Sequence, residues 1–326
     1  MPNISPKISV VLPVYNGSEY LEIAINSVIK QNLQDFEFII CDDCSTDNSM
    51  SIIKAMIKDF PNRITLLQNQ TNQGLFKTLN LLLSNTSAPY IHLWAQDDIM
   101  KPDCLEKVLN FHLSHPEISM SYHQVNYVNE KNEFDNSPIS DGTPKIIEKK
   151  QYAKISAYWG CMPGNIANVT LTKNAIINCG LFNDNFTVSG DFEYWTRLVN
   201  FQPIGYLKEP LIFLRRHEKQ LSRKPSSILY AMKQDIPIHK NLIEMADPAD
   251  KKAIICAWRW KTQVRYLNEA LYLISRRENS LARQCLGVLN TEFNLVSLSF
   301  RWALIKVMRL LKCSNWFYKN VLKTLI

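Results

Sequence analysis

Between Lys7 and Asp98 the chain alternates short apolar runs with amphipathic stretches, and this alternation restricts the fold more than any other feature. Lys7–Pro13 is apolar, β-branched and closed by proline, so it reads as a buried strand. Phe36–Cys41 and Ile64–Leu67 repeat the pattern, and a fourth run opens at Tyr90 and leads into Asp97-Asp98. Helical spacing fills the gaps. Ser18 is placed to cap a helix whose apolar face is Leu21, Ile25, Val28 and Ile29. Ser45-Thr46-Asp47 precedes a second, with Ile52, Ile53, Met56 and Ile57 on one face, and a third runs from the polar loop 70–74 to Leu83. Strands alternating with helices imply right-handed crossovers and a parallel sheet. Ligands bind beyond the carboxyl ends of the strands in such sheets. Pro13–Tyr15, Asp42-Asp43 and Asp97-Asp98 stand at those ends, so three distant polar clusters fall on one sheet edge.

Adjacent carboxylates at a strand end repel each other unless a cation or a donor network lies beside them. Mg²⁺ or Mn²⁺ takes oxygen ligands, often one or two carboxylates together with phosphate oxygens. Asp97-Asp98 therefore reads as a metal–diphosphate site. The plainer reading is a solvated acidic turn ahead of a helix started by Lys101-Pro102-Asp103.

The second half is less regular. Met120–Val128 alternates as a strand, residues 129–150 are a polar, turn-rich excursion, and the aromatics and breakers of 158–165 suit a pocket wall. Ser189–Leu198 opens a helix with Asp191 at its N-terminus, where the dipole favours an ionised carboxylate, and with Glu193 and Arg197 at helical spacing. Leu211–Leu214 is a last strand, leading to Arg215-Arg216-His217.

Beyond about residue 225 the pattern is helical, with a joint near Arg277–Ser280. Residues 221–326 hold 18 Lys and Arg against 7 Asp and Glu, a net of +11, whereas residues 1–220 carry 19 against 23, a net of −4. At about 100° per residue, Phe300, Ala303, Leu304, Val307 and Leu311 share one face and Arg301, Lys306, Arg309 and Lys312 roughly the other. A basic amphipathic helix suits an anionic membrane surface, and Trp316–Lys319 adds interfacial aromatics. The alternative is a surface helix packed on its own domain. The expected division is 1–222 and 223–326. The N-terminus lacks the form of a secretory signal, no run is apolar enough to cross a bilayer, and the 8 cysteines show no framework spacing. These features fit a cytoplasmic protein that sits peripherally on the inner membrane face.

Five pieces in this order resemble the inverting family 2 glycosyltransferases of the GT-A fold: Val10–Asn16, Cys41–Asp47, Asn72–Gly74, Gln96–Asp98 and Gly190–Trp195. The resemblance covers roughly residues 7–220. It implies a Rossmann-like α/β sheet, mostly parallel with helices on both faces, followed by a helical C-terminal extension. It also implies a nucleotide-diphosphate-sugar donor such as a UDP-sugar. By position, Pro13 and Tyr15 line the base, Asp43 hydrogen-bonds the pyrimidine ring, and Asn72, Gly74 and Lys77 belong to the loop along its far side. Asp97 corresponds to a ribose or sugar contact, Asp98 to the ligand of Mg²⁺ or Mn²⁺, His217 to a further metal or phosphate contact, and Asp191 to the catalytic base. The acceptor implied is a glycan, lipid-linked in many bacterial relatives. Three positions depart from the family pattern: Gln96 replaces an acid, Gly190 replaces a Glu, and Thr78-Leu79-Asn80 lacks an Arg that Lys77 substitutes.

A non-catalytic sugar-nucleotide binder working at a membrane through its basic tail is the alternative function. A nicotinamide dehydrogenase is excluded because no Gly-x-Gly-x-x-Gly turn follows the first strand. Nucleic acid is excluded as a partner because the sheet edge is acidic.

Overall fold

A computed structural model describes residues 6–135, 142–217 and 225–311. The strands are β1 (Ile8–Val14), β2 (Phe36–Asp42), β3 (Ile64–Gln68), β4 (Tyr90–Leu93), β5 (Ile99–Met100), β6 (Met120–Asn129), β7 (Phe134–Asp135), β8 (Ile146–Ile147), β9 (Val169–Thr172) and β10 (Ile204–Arg216). The helices are α1 (Leu21–Ile29), α2 (Ser49–Asp59), α3 (Leu75–Ser84), α4 (Cys104–Ser114), α5 (Lys149–Trp159), α6 (Lys173–Cys179), α7 (Gly190–Phe201), α8 (Pro225–Met245), α9 (Lys251–Ala257), α10 (Gln263–Ser275), α11 (Asn279–Glu292) and α12 (Leu295–Leu310). They form two compact units, one of residues 1–148 and 163–218, the other of residues 149–162 and 219–326. The second unit therefore takes α5 out of the middle of the first stretch.

In the first unit the sheet runs β3-β2-β1-β4-β9-β6-β10-β5, with β7 on β6 and β8 on β10. The first four strands are parallel, with Val14 opposite Asp42 and Val11 opposite both Ile39 and Leu93. Beyond β4 the sheet is mixed. β9 is antiparallel to β4 and β6, while β10 runs parallel to β6 with register shifts around Pro210. The sequence reading covers only the end of β10. Its first half holds Lys208, Glu209 and Pro210, which break the apolar signal.

β1 is buried on both faces, as a central parallel strand must be. Ile8, Val10, Leu12 and Val14 share a core with Leu21, Ile25 and Val28 of α1, Ile53 of α2 and Leu105 of α4. Val11 points to the other face by the two-residue period, and α3, with Leu79, Leu82 and Leu83 buried, packs on β1 and β2. The chain reverses its winding at β1, between β2 on one side and β4 on the other. That is the switch point where the loops after β1 and β4 part and leave a crevice.

The second unit is helical around Met232, Ile236, Leu267, Leu273, Leu289 and Leu298. A π-helical turn, Trp258–Thr262, joins α9 to α10. α5 packs on α8 and α9 and is tied by Lys150–Asp247 (2.8 Å) and Lys154–Asp250 (3.0 Å). In α12, Leu298 and Ile305 are buried, while Val296, Phe300, Ala303, Val307 and Leu310 are exposed, as is Leu311 just beyond it. Trp316–Lys319 and residues 136–141 of the polar excursion lie outside the described residues. Among the described residues no helix is long and apolar enough to cross a membrane.

Candidate active site

The loop after β1 is held by the loop after β2. Asp43 N–H donates to the Val14 carbonyl at 2.7 Å. Asn16 sits at φ 49, a left-handed conformation that Asn tolerates. Its N–H donates to Ser45 Oγ (3.0 Å) and its Oδ1 accepts from Thr46 N–H (2.8 Å). Gly17 N–H donates to Ser49 Oγ at 2.9 Å, and Asp47 accepts from the N–H groups of Ser18 (3.0 Å) and Ser49 (2.9 Å). Burial alone would push the Asp47 carboxyl up, but hydrogen bonds from Ser49 and Ser18 outweigh it and hold it at about 2. Ser18 is thus used against Asp47 and does not cap α1, whose N-cap, Tyr20, makes no side-chain cap bond. Pro13 is half-buried and Tyr15 is 45% exposed, open to a ring stacking on it.

Asp43 is 3% exposed, and its carboxylate organises the next loop. Oδ1 accepts from Asn69 Nδ2 (2.7 Å) and Gln73 N–H (2.8 Å), and Oδ2 accepts from Gly74 N–H (2.8 Å). Gly74 has φ +84, which few L side chains adopt, and leads directly into α3. The carboxylate therefore caps the start of α3. Asn72 and Lys77 are exposed beside it.

The third cluster lies in the loop after β4, which ends at Leu93, short of the acids. Gln96 makes a reciprocal pair with the Tyr15 backbone: Tyr15 N–H donates to Oε1 at 2.9 Å and Nε2 donates to the Tyr15 carbonyl at 3.1 Å. A carboxylate at this position has no proton for the second bond. Asp98 is 2% exposed and accepts from the backbone N–H of Arg215 at 2.8 Å. Burial, reinforced by the neighbouring Asp97, pushes its carboxyl well above the usual range. Asp97 faces His217, with Oδ2 2.8 Å from Nε2, so the imidazole meets Asp97 here.

Nothing in the sequence marks one arginine of the Arg215-Arg216 pair as buried. The Arg215 side chain is wholly enclosed; Nε donates to the Asp97 carbonyl (2.9 Å) and Nη1 to Asn129 O and Asn132 Oδ1. The guanidinium lies 4.2 Å from the Tyr20 ring centre. Asn69, which holds Asp43, likewise carries no signal in the sequence.

The donor set tests whether a divalent cation fits. Asp97 and Asp98 offer only oxygen, as Mg²⁺ and Mn²⁺ prefer, and Asp98 is a buried carboxylate whose charge a cation would relieve. The residues therefore fit a hard cation completed by ligand oxygens. Among the described residues, the three candidate metal-ligating side chains that converge are elsewhere: His92, Cys104 and His123, all buried.

Asp191 opens α7, and its Oδ1 accepts from Phe192 N–H at 2.8 Å. A Cβ on Gly190 would lie 2.7 Å from the Phe76 ring, so Gly190 and Phe76 fit together only as they stand. A chain of contacts links the two loops: Asp43 holds Gly74, Phe76 follows two residues on, and Phe76 touches the residue before Asp191. Glu193 and Arg197 pair at 2.9 Å, as their spacing predicts. Tyr158 and Trp159, expected in a pocket wall, belong to the helical unit and line a groove there.

Residues 9–169 match the family model described as Glycosyl transferase family 2. The matched residues, just under half of the chain, belong to this family. An uncharacterized glycosyltransferase of Rickettsia felis is 26% identical over 238 residues, 68% of this chain and 36% of the relative. The glycosyltransferase GlyG of Streptococcus pneumoniae is 38% identical over 104 residues, 32% of this chain and 34% of that protein. The chain thus matches about a third of the length of these curated relatives. Among solved structures, S. aureus TarS 1-349 in complex with UDP-GlcNAc superimposes with a TM-score of 0.61 at 15% identity, covering 91% of this chain and 92% of that one. A mannosyltransferase from Pyrobaculum calidifontis, in complex with GDP-Man and Mn²⁺, gives 0.57 at 12% identity, covering 99% and 86%. At such identities these likenesses establish the fold, and the GT-A architecture with C-terminal helices is the one observed.

Proposed function

We propose that the first unit transfers a sugar from a nucleotide-diphosphate donor, a UDP-sugar, to an acceptor hydroxyl with inversion at the anomeric carbon. The observation that carries this is Asp98: a carboxylate buried beside a second acid at the sheet's switch point, with its protonation favoured by burial until a cation joins it. In this reading Pro13 and Tyr15 flank the base. Asp43 holds the loop of Asn72, Gly74 and Lys77 against it, and Asp97, oriented by His217, meets the ribose or sugar. Asp98 would hold Mg²⁺ or Mn²⁺, which would supply Lewis-acid neutralisation of the leaving diphosphate. Asp191 accepts the proton of the acceptor hydroxyl, which attacks the anomeric carbon opposite the leaving group. His217 orients Asp97 from its present place and is a metal or phosphate contact only if it turns from Asp97.

The acceptor we propose is a lipid-linked glycan at an anionic membrane. The exposed apolar stripe of α12, on a chain whose tail is strongly basic, supports that placement.

A panel of sugar nucleotides incubated with Mn²⁺ tests the reading, with Asp191→Asn as the control. The variant should keep donor binding and lose on the order of 10²–10⁴ in turnover. An unchanged rate removes Asp191 from the mechanism. Tight nucleotide binding without turnover on any donor would favour a non-catalytic binder instead. Deleting 296–326 should release the protein from anionic vesicles, and unchanged sedimentation would refute the membrane contact.

A further inference from the structure

The helical unit contains a groove of about 460 Å³ between α5, the segment running from the π-helical turn into α10, and α12. Four cations line it: Lys261, Arg265, Lys306 and Arg309. Among the described residues, no carboxylate lines it. Arg265 is partly matched by Asp235 (3.8 Å) and Glu269 (3.6 Å). Among the described residues, Lys261, Lys306 and Arg309 have no acidic partner. Lys261 is wedged between aromatic rings, its Nζ 3.9 Å from the centre of Tyr158 and 4.1 Å from that of Trp159. Burial, and then the nearby Arg265, pull its ammonium down to about 8. Trp159 is 72% exposed, and Trp302 forms another aromatic wall, with Lys306 Nζ 5.6 Å from its ring centre.

Cations crowd one another at a cost unless an anion completes the set. Three unmatched positive charges in one concavity call for a ligand carrying about two negative charges. The exposed Trp159 indole and the half-buried Trp302 ring beside them suit the C–H face of a sugar ring, and the volume falls within the range of small-molecule sites. Arginine forks match phosphate oxygens. We infer that this groove is a second binding site, wholly within the helical unit, for a phosphate-bearing saccharide. A bilayer is the weaker match, because the cations line a concavity, whereas the exposed stripe Val296, Phe300, Val307 and Leu310 of the same helix is the face a membrane would meet.

Isothermal titration of the full chain with glucose 1,6-bisphosphate tests this, with maltose as the neutral comparison. The bisphosphate should bind, maltose should not, and affinity should fall as salt rises. Arg309→Gln and Lys261→Met should each weaken binding roughly tenfold or more, the size expected from losing one charge-assisted bond. Asp98→Ala should leave it unchanged, which separates the groove from any phosphate binding at the first site. Arg309 is exposed, so its variant tests the site even if Lys261→Met fails to fold. Equal binding by maltose, affinity unaltered in Arg309→Gln, a loss in Asp98→Ala, or binding seen only with phosphatidylglycerol vesicles would each overturn the inference.

Discussion

Replacing Asp43 with Asn separates two roles that the sequence cannot tell apart. The carboxylate takes three donors, from Asn69, Gln73 and Gly74, while 3% exposed. An asparagine has one oxygen, so it can keep the two donors on Oδ1 and must turn its own N–H₂ towards the Gly74 N–H. A buried donor left without an acceptor costs roughly 1–3 kcal/mol. The two surviving bonds lose their charge assistance, and the start of α3 loses a negative charge worth about 0.3–1 kcal/mol. Together these predict a loss of about 2–4 kcal/mol, measurable without any ligand as a lower urea midpoint. If Asp43 acted only on the nucleotide, stability would stay within about 0.5 kcal/mol of the parent while the donor KM rose. That pair of results would refute its role as the loop's anchor.

Asp98→Asn should keep the Arg215 N–H bond through its amide oxygen and abolish stimulation by Mn²⁺; normal stimulation in a rate assay would remove Asp98 as ligand. Gly190→Ala places a Cβ 2.7 Å from Phe76 and should cost about 1–3 kcal/mol in a thermal melt, with Phe76→Leu restoring most of it. Gln96→Glu loses the donor to the Tyr15 carbonyl and adds a third acid beside Asp97 and Asp98. Donor KM should therefore rise with little change in Tm, and an unchanged KM would free Tyr15 from that clamp. Asp47 has a carboxyl pKa lowered from 3.8 to about 2, so its contribution to stability is present above that window and lost as pH falls through it. Asp47→Asn should flatten the acid limb of a stability-versus-pH curve, which urea titrations at stepped pH would reveal.

The parallel half of the sheet was legible because its strands read as unbroken apolar runs, with the central strands β1 and β4 buried on both faces. The carboxyl-edge clusters followed from topology alone, since parallel strands joined by crossovers must end on the same side. The far half of the sheet was less legible. β9 is a short strand of Val, Thr and Leu without a flanking signal, and β10 hides its first half behind Lys208, Glu209 and Pro210. Local order along the chain therefore fixed the scaffold, the edge that carries the acids and the basic, amphipathic character of the tail. Only the folded chain decided what each polar group touches: that Gln96 clasps the Tyr15 backbone, that Arg215 rather than His217 meets Asp98, that Phe76 requires Gly190, and that Tyr158 and Trp159 join the helical unit. Such pairings are between residues up to 117 positions apart. They depend on distances of a few ångströms across the interior, which no spacing along the chain encodes.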